Sequence, residues 1–300
     1  MPIVIPKDIP AYDTLEKENI FIMSSLRADT QDIRPIEIVI VNLMPTKIIT
    51  ETQLMRLLSN SPLQVNITLL NTATYSSKNT EQTYLDKFYK TFDEIKDKRY
   101  DGMIITGAPV ENIDFEEVLY WEELKQIMDF ADKNVTSTIY ICWGAQAALY
   151  HYYGIPKYML DDKLFGVYKH KRCVEFSPLL KGLDDYFYIP HSRHSGVDSN
   201  LIYDCKHLEP LAESDETGIA IFKSVDDKKI FITGHLEYDK NTLKQEYERD
   251  LAKGLSIHEP DNYFSKTNEV IVRWRSTANI VFSNWLNYYV YQVTPFEIDR

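Results

Sequence analysis

The chain has 300 residues, 44% of them hydrophobic and 26% charged, with a net charge of −12. That balance fits a soluble globular protein with a large core, and its negative field disfavours nucleic acid or an anionic membrane as partner. Three cysteines without CxxC spacing argue against a disulfide framework. No apolar run spans a bilayer, and early prolines with Asp8 break a secretory-signal pattern, so the chain reads as cytoplasmic.

In chain order, "IEIVIVNLMP" from Ile36 predicts the first clear strand. Ile38, Val39, Ile40 and Val41 are apolar at consecutive positions, as a strand covered on both faces requires. "TETQLMRLLSN" from Thr50 places Leu54, Leu57 and Leu58 on one helical face. Strands follow in "LQVNITLLNT" from Leu63 and "YDGMIITGAP" from Tyr100. A helix after Asp114 then aligns Val118, Trp121, Leu124, Ile127 and Met128. "TSTIYICWGA" from Thr136 and "KKIFITGHLEY" from Lys228 give further strands. The alternation predicts an α/β protein: a three-layer α/β/α sandwich around a mostly parallel sheet, with ligands at the carboxyl ends of the strands. One domain over 1–300 is expected, with an elaboration around 161–214 that is dense in charge and turns. A terminal helix over 276–293 is expected to pack on the core or at a subunit contact.

Cys142 stands between the strand residues 137–141 and a small-residue helix that opens at Gly144 and stops near Gly154. A strand-to-helix elbow lifts a side chain above the sheet, and the new helix's free N–H groups favour a thiolate there. Free cysteines are more often inert packing, and Cys173 and Cys205 read that way. "TGHLEY" supplies a base: in an extended segment, His235 and Glu237 share one face about 6.6 Å apart, so the carboxylate can orient the ring. His151, His170, His207 and His258 carry no partner pattern. His191 and His194 have a spacing open to metal ligation, but no third ligand completes a set, and no metal is expected.

The motifs "NLMPTKIITETQLMRLL", "DGMIITGAPVE", "YICWGAQAALYHYYGI", "PHSRHS", "ITGHLEYD" and "EYERDLAKG" resemble the homoserine O-acyltransferases of methionine biosynthesis, within the class I glutamine amidotransferase-like fold, flavodoxin-like in layout. The resemblance runs along the whole chain. It implies ping-pong acyl transfer, with no bound cofactor and an acyl-CoA as co-substrate. Cys142 is the implied nucleophile, His235 the base and Glu237 its orienting partner. The Trp143 amide is the natural first oxyanion donor, with a second expected near Gly107. Lys163, Ser192 and Arg249 are the implied contacts of L-homoserine. Glu246 is open to a role at the ammonium or to a plain surface ion pair with Arg249 one turn on. Lys47 is open to a role toward the coenzyme or the substrate, or to a solvated loop. In this family a glutamate at position 111 accompanies acetyl transfer and a glycine succinyl transfer, so Glu111 implies acetyl-CoA, with succinyl-CoA the alternative. The resemblance also favours a homodimer. Lys169, Lys171 and Arg172 form a basic cluster open to the coenzyme's phosphates but read more readily as a solvated face. A cysteine hydrolase of the glutaminase fold is the remoter alternative. Glutaminases carry Gly two residues before the cysteine and His three after, where this chain has Tyr140 and Ala145.

Overall fold

A computed structural model describes residues 3–18, 20, 22–23, 34–74 and 80–294; the ends of the expected 1–300 domain, 1–2 and 295–300, lie outside them. The chain opens with β1 (Ile3–Val4), α1 (Pro10–Lys17), β2 (Ile22–Met23), β3 (Ile36–Val41), α2 (Lys47–Ser59) and β4 (Val65–Leu70). It continues with α3 (Gln82–Phe88), β5 (Tyr89–Lys90), β6 (Tyr100–Ile105), α4 (Trp121–Asn134), β7 (Val135–Ile141) and α5 (Trp143–Tyr153). Then come β8 (Tyr158–Arg172), β9 (Tyr186–Gly196), α6 (Ser199–Asp204), β10 (Leu208–Ser214), β11 (Gly218–Ser224) and β12 (Lys229–Ile232). Helices α7 (Thr242–Ala252) and α8 (Arg275–Asn284) follow, and α8 passes into a π-helical turn, Trp285–Tyr291.

All these strands join one sheet in the order β2-β1-β4-β3-β6-β7-β12-β11-β10-β8-β9, with β5 beside β4. Pairings from β2 to β12 are parallel. Those from β12 to β9 are antiparallel. The expected elaboration around 161–214 is therefore largely a β-ribbon that continues the sheet.

The consecutive apolar runs divide by parity between two cores, as side chains alternating across a strand must. Ile38, Ile40, Ile104, Ile139 and Ile141 face α2 and α8, where Leu54, Leu58, Val281 and Phe282 cover them. Val39, Val41, Met103, Ile105 and Tyr140 face α4 and α5, against Leu124, Ile127, Met128 and Leu149. A smaller cluster of Phe165, Val167, Tyr238, Leu243, Tyr263 and Trp274 anchors α7 to β8 beneath the cleft described below.

One local expectation changes. The helix predicted from just after Asp114 starts at Trp121, because Phe115 folds back instead; its ring stacks on Trp121 at 5.3 Å and on Tyr150 at 4.8 Å. The terminal segment does pack on the core: Trp285 is buried, with Nε1 donating to Ser137 Oγ at 3.0 Å. A Cβ on Gly102 would stand 2.9 Å from the Trp285 ring and 2.6 Å from Ile38 Cδ1, so the bare backbone of β6 is what admits the indole. Tyr289 is buried in the same core, which assigns both aromatics to intramolecular packing. Among the described residues no helix is long and apolar enough to cross a membrane.

Candidate active site

Parallel strands β6, β7 and β12 end side by side, and the candidate residues stand on the turns that leave them. Cys142, directly after β7, has φ 50° and ψ −116°, a left-handed conformation costly for any residue with a Cβ. Both ends of its peptide are pinned. Its N–H donates to Ile232 O at 2.8 Å, and its carbonyl accepts from Ala145 N at 3.0 Å and Gln146 N at 3.2 Å. The helix that follows starts in contact with the neighbouring strand. A Cβ on Gly144 would lie 2.6 Å from Thr106 O and 3.0 Å from Ile105 O, both rigid backbone atoms. Gly144→Ala should therefore push the elbow off β6. The expected loss is about 1–3 kcal/mol of stability, with a fall in turnover, read by urea unfolding and steady-state kinetics.

Gly107, in the turn after β6, runs against Cys142: a Cβ there would be 3.3 Å from Cys142 Cβ and 3.7 Å from His235 Cε1. Trp143 is the first residue of α5, whose N–H has no partner within the helix. Among the described residues neither the Gly107 nor the Trp143 amide donates to a protein acceptor. Both are available to an oxyanion formed at the sulfur.

His235 and Glu237 do meet, with Nδ1 and Oε1 2.7 Å apart and both side chains buried. Their route to each other differs from expectation. They lie past the end of β12 in a turn closed by Tyr238 N donating to His235 O at 3.3 Å, not in an extended segment. The turn is what lets a carboxylate two residues on reach the ring. Tyr238 stacks on the imidazole at 4.2 Å and donates from its hydroxyl to Glu246 Oε1 at 2.7 Å. Burial works against a charged imidazole here, but the Cys142 sulfur and the Glu237 carboxylate outweigh it and hold His235 well above its ordinary pKa.

A cleft of about 440 Å³ opens over these groups. Cys142, His235, Gly107, Glu111, Lys163, Ser192, Glu246 and Arg249 all line it. The β8–β9 register pairs Phe165 with Ser192, which brings Lys163 and Ser192 to the same stretch of ribbon beside α7. Ser192 Oγ donates to Glu246 Oε2 at 2.5 Å, and Lys163 Nζ lies 3.2 Å from Asp250 Oδ2 and 3.8 Å from Glu246 Oε2. The surface ion pair between Glu246 and Arg249 is not made. Glu246 turns inward to Ser192 and Tyr238, whereas Arg249 Nε donates to Asp250 Oδ1 at 2.7 Å. The Arg249 side chain stays 52% exposed, and its terminal nitrogens have no protein acceptor among the described residues.

Lys47 departs from both of its readings. It is buried at the start of α2, donates to Asn42 O at 2.6 Å, and is absent from the cleft lining. Burial drops its pKa to about 8, partly opposed by Glu51. Glu111 does line the cleft. One oxygen, Oε2, accepts from His194 N at 2.7 Å, while Oε1 is buried without a protein partner. Burial raises its pKa, against the His194 amide and the nearby His235 and Arg193 charges.

The histidine pair separates, because a spacing of three on a strand puts the two rings on opposite faces. His191 is fully buried, with Nε2 3.3 Å from His170 Nε2, while His194 is exposed at the cleft. Burial pulls His170 down to about 4 and lowers His191 well below its ordinary value as well, which favours neutral rings. Among the described residues no group of three His, Cys, Asp or Glu is placed to hold a metal ion. In the basic cluster, Lys171 pairs with Glu213 at 3.3 Å, Lys169 covers Tyr186, and Arg172 donates to Glu175 O. None of the three lines the cleft.

Asp250 and Tyr238 join the site beyond the sequence-based candidates. Both sit inside quoted motifs, in "EYERD" and "GHLEYD", but only the packing of α7 against the ribbon shows what they touch.

The cysteine on its strained elbow, beside a histidine and glutamate from the turn after the next parallel strand, stands on a class I glutamine amidotransferase-like fold. A solved glutamine amidotransferase from Methylobacillus flagellatus shares the fold, with a TM-score of 0.52, 14% identity, and coverage of 85% of this chain and 95% of that one. The homoserine O-succinyltransferase family matches residues 2–296, and the chain belongs to it. It is 58% identical to homoserine O-acetyltransferase 1 of Ilyobacter polytropus over 99% of both chains. It is 57% identical to the homoserine O-acetyltransferase of Acetivibrio thermocellus, over 100% of this chain and 99% of that one.

Proposed function

We propose that the chain is a homoserine O-acetyltransferase in which Cys142 carries the acetyl group from acetyl-CoA to L-homoserine. The observation that carries this reading is a single cleft lined by Cys142 and His235, with Glu237 buried behind the imidazole, together with Glu111 and the Arg249 and Glu246 charges. The full-length likeness to proteins named homoserine O-acetyltransferase supports the choice of substrates.

In the first half-reaction the Cys142 thiolate attacks the thioester carbonyl. The Trp143 and Gly107 amides receive the oxyanion, each such donor contributing about 3 kcal/mol. Collapse breaks the carbon–sulfur bond to the coenzyme, whose thiolate takes the proton held on His235 Nε2. Acetyl-Cys142 remains. Exchanging one thioester for another is nearly isoenergetic, so the acyl group stays transferable. In the second half the homoserine hydroxyl gives its proton to the now neutral His235 as its oxygen bonds to the acetyl carbon. Collapse expels the Cys142 thiolate and releases O-acetylhomoserine. The free terminal nitrogens of Arg249 suit a bidentate grip on the substrate carboxylate. Glu246, oriented by Ser192 and Tyr238, suits the ammonium, and Lys163 holds Asp250 and Glu246 in place.

Glu111 selects the donor. A succinyl group ends in a carboxylate, and a like charge about 4 Å away costs about 4 kcal/mol at an effective dielectric of 20. Acetyl carries no such charge. Burial raises the Glu111 pKa, so acidification through that value neutralises it and the ratio of acetyl-CoA to succinyl-CoA use should fall as pH drops.

Turnover of homoserine with each donor, by wild type and Glu111→Gly, tests both levels. Wild type should prefer acetyl-CoA, and Glu111→Gly should shift the ratio toward succinyl-CoA by up to about 10³-fold. No acetyl transfer by the wild type would sink the activity. An unmoved ratio would sink the charge argument alone.

A further inference from the structure

Lys157, between α5 and β8, reaches back to the turn that carries Glu111. Its Nζ donates to the Glu111 carbonyl oxygen at 2.6 Å and lies 5.4 Å from the centre of the Phe115 ring. Phe115 is stacked on Trp121 and Tyr150 and packs at 5.8 Å on Trp143, the residue after the nucleophile. The turn is thus fastened to a wall of rings on α4 and α5. The Glu111 carboxylate is fixed separately, through Oε2, by the His194 amide from β9. Its backbone and one of its oxygens are held by different elements, which leaves only the buried, unpaired Oε1 to meet a ligand.

We propose that Lys157 is a positioning residue for acyl-donor discrimination: its ammonium locks the Glu111 peptide, so the unpaired carboxylate oxygen stays in the space that the far end of the acyl chain must enter. This rests on the role assigned to Glu111 above. Lys157 does not line the cleft, so its effect on the donor passes through the Glu111 turn. The logic is electrostatic. Repulsion between two carboxylates falls with distance and with access of water, so a Glu111 free to swing outward discriminates less even though its charge is unchanged.

The test reads kcat/KM for acetyl-CoA and succinyl-CoA in wild type, Lys157→Met, Lys157→Gln and Lys157→Arg. Lys157→Met keeps an unbranched stem against Phe115 and removes the donor; Lys157→Arg keeps a long cationic donor. Lys157→Met and Lys157→Gln should hold acetyl-CoA use within about threefold and lower the acetyl-to-succinyl ratio about tenfold through a gain with succinyl-CoA, as a partly relieved repulsion requires. Lys157→Arg should restore the ratio. A proportional fall with both donors, or an unchanged ratio in both Lys157→Met and Lys157→Gln, overturns the proposal, since a merely structural role moves both donors alike. Glu111→Gly runs beside them. If it shifts the ratio and the lysine variants do not, the clamp fails alone. If it shifts nothing, the Glu111 reading fails first. In the Glu111→Gly background, removing Lys157 should add nothing further to the ratio.

Discussion

Cys142→Ala should lower kcat for acetyl transfer by about 10⁴-fold or more, the usual consequence of deleting a covalent nucleophile. The backbone is not the cause, because alanine carries the same Cβ at φ 50° and inherits the same strain. The core loses only one sulfur atom, so the melting transition should stay close to that of wild type. Neither other thiol lines the cleft, since Cys173 and Cys205 are both absent from its walls. Cys173 sits on the ribbon away from the cleft, and burial with the Glu213 charge pushes its pKa up to about 11, which leaves it a neutral thiol at working pH. Cys142→Ser should rescue little, since an ester intermediate gives up its acyl group to an alcohol less readily than a thioester does. Steady-state rates with both substrates, beside a circular-dichroism melt of each variant, provide the check. Substantial activity in a folded Cys142→Ala protein would mean that the acyl group passes directly to homoserine.

The second large effect belongs to Glu237→Gln. The amide keeps the shape but can present its N–H₂ to His235 Nδ1, which favours the wrong tautomer, and it removes the negative charge that stabilises the imidazolium. A drop of about 10²–10⁴ in kcat is expected from comparable triads. The pH profile carries the sharper signature. His235 is held above its ordinary pKa by Cys142 and Glu237 against the opposing effect of burial, so removing one of the two charges lets its pKa fall. In the proposed route the first half-reaction needs the imidazolium as proton donor to the departing coenzyme. The alkaline limb of kcat/KM for acetyl-CoA should therefore move to lower pH in Glu237→Gln. A limb that stays in place would show that the carboxylate does not govern the proton on that ring.

Much of this was readable from residue order because the relevant forces are local. Ile38 to Val41 and Met103 to Ile105 are apolar at every position since each face of the central sheet meets its own helical layer. The elbow at Cys142 is written in the change from β-branched residues to Gly144 and Ala145. The close contact that makes Gly144 necessary, with Thr106 just past the end of β6 and nearly forty positions earlier, is not. The sequence pairs His235 with Glu237 through an extended geometry; the chain turns there instead, and a turn also brings such neighbours together. The errors share a cause in tertiary packing. Lys47 looks like a loop lysine until the Asn42 carbonyl and Glu51 are seen to enclose it. Glu246 looks like the partner of Arg249 until the ribbon presents Ser192 and the turn presents Tyr238. Helical spacing reveals which residues share a face but not which element will lie against it.

Intact-mass measurement of the wild-type protein mixed with acetyl-CoA and no homoserine bears most directly on a sulfur that ferries the acyl group. One acetyl group should appear on the protein, vanish when homoserine is added, and never form on Cys142→Ala. An enzyme that acetylates homoserine at full rate yet never gains that mass would contradict the covalent route.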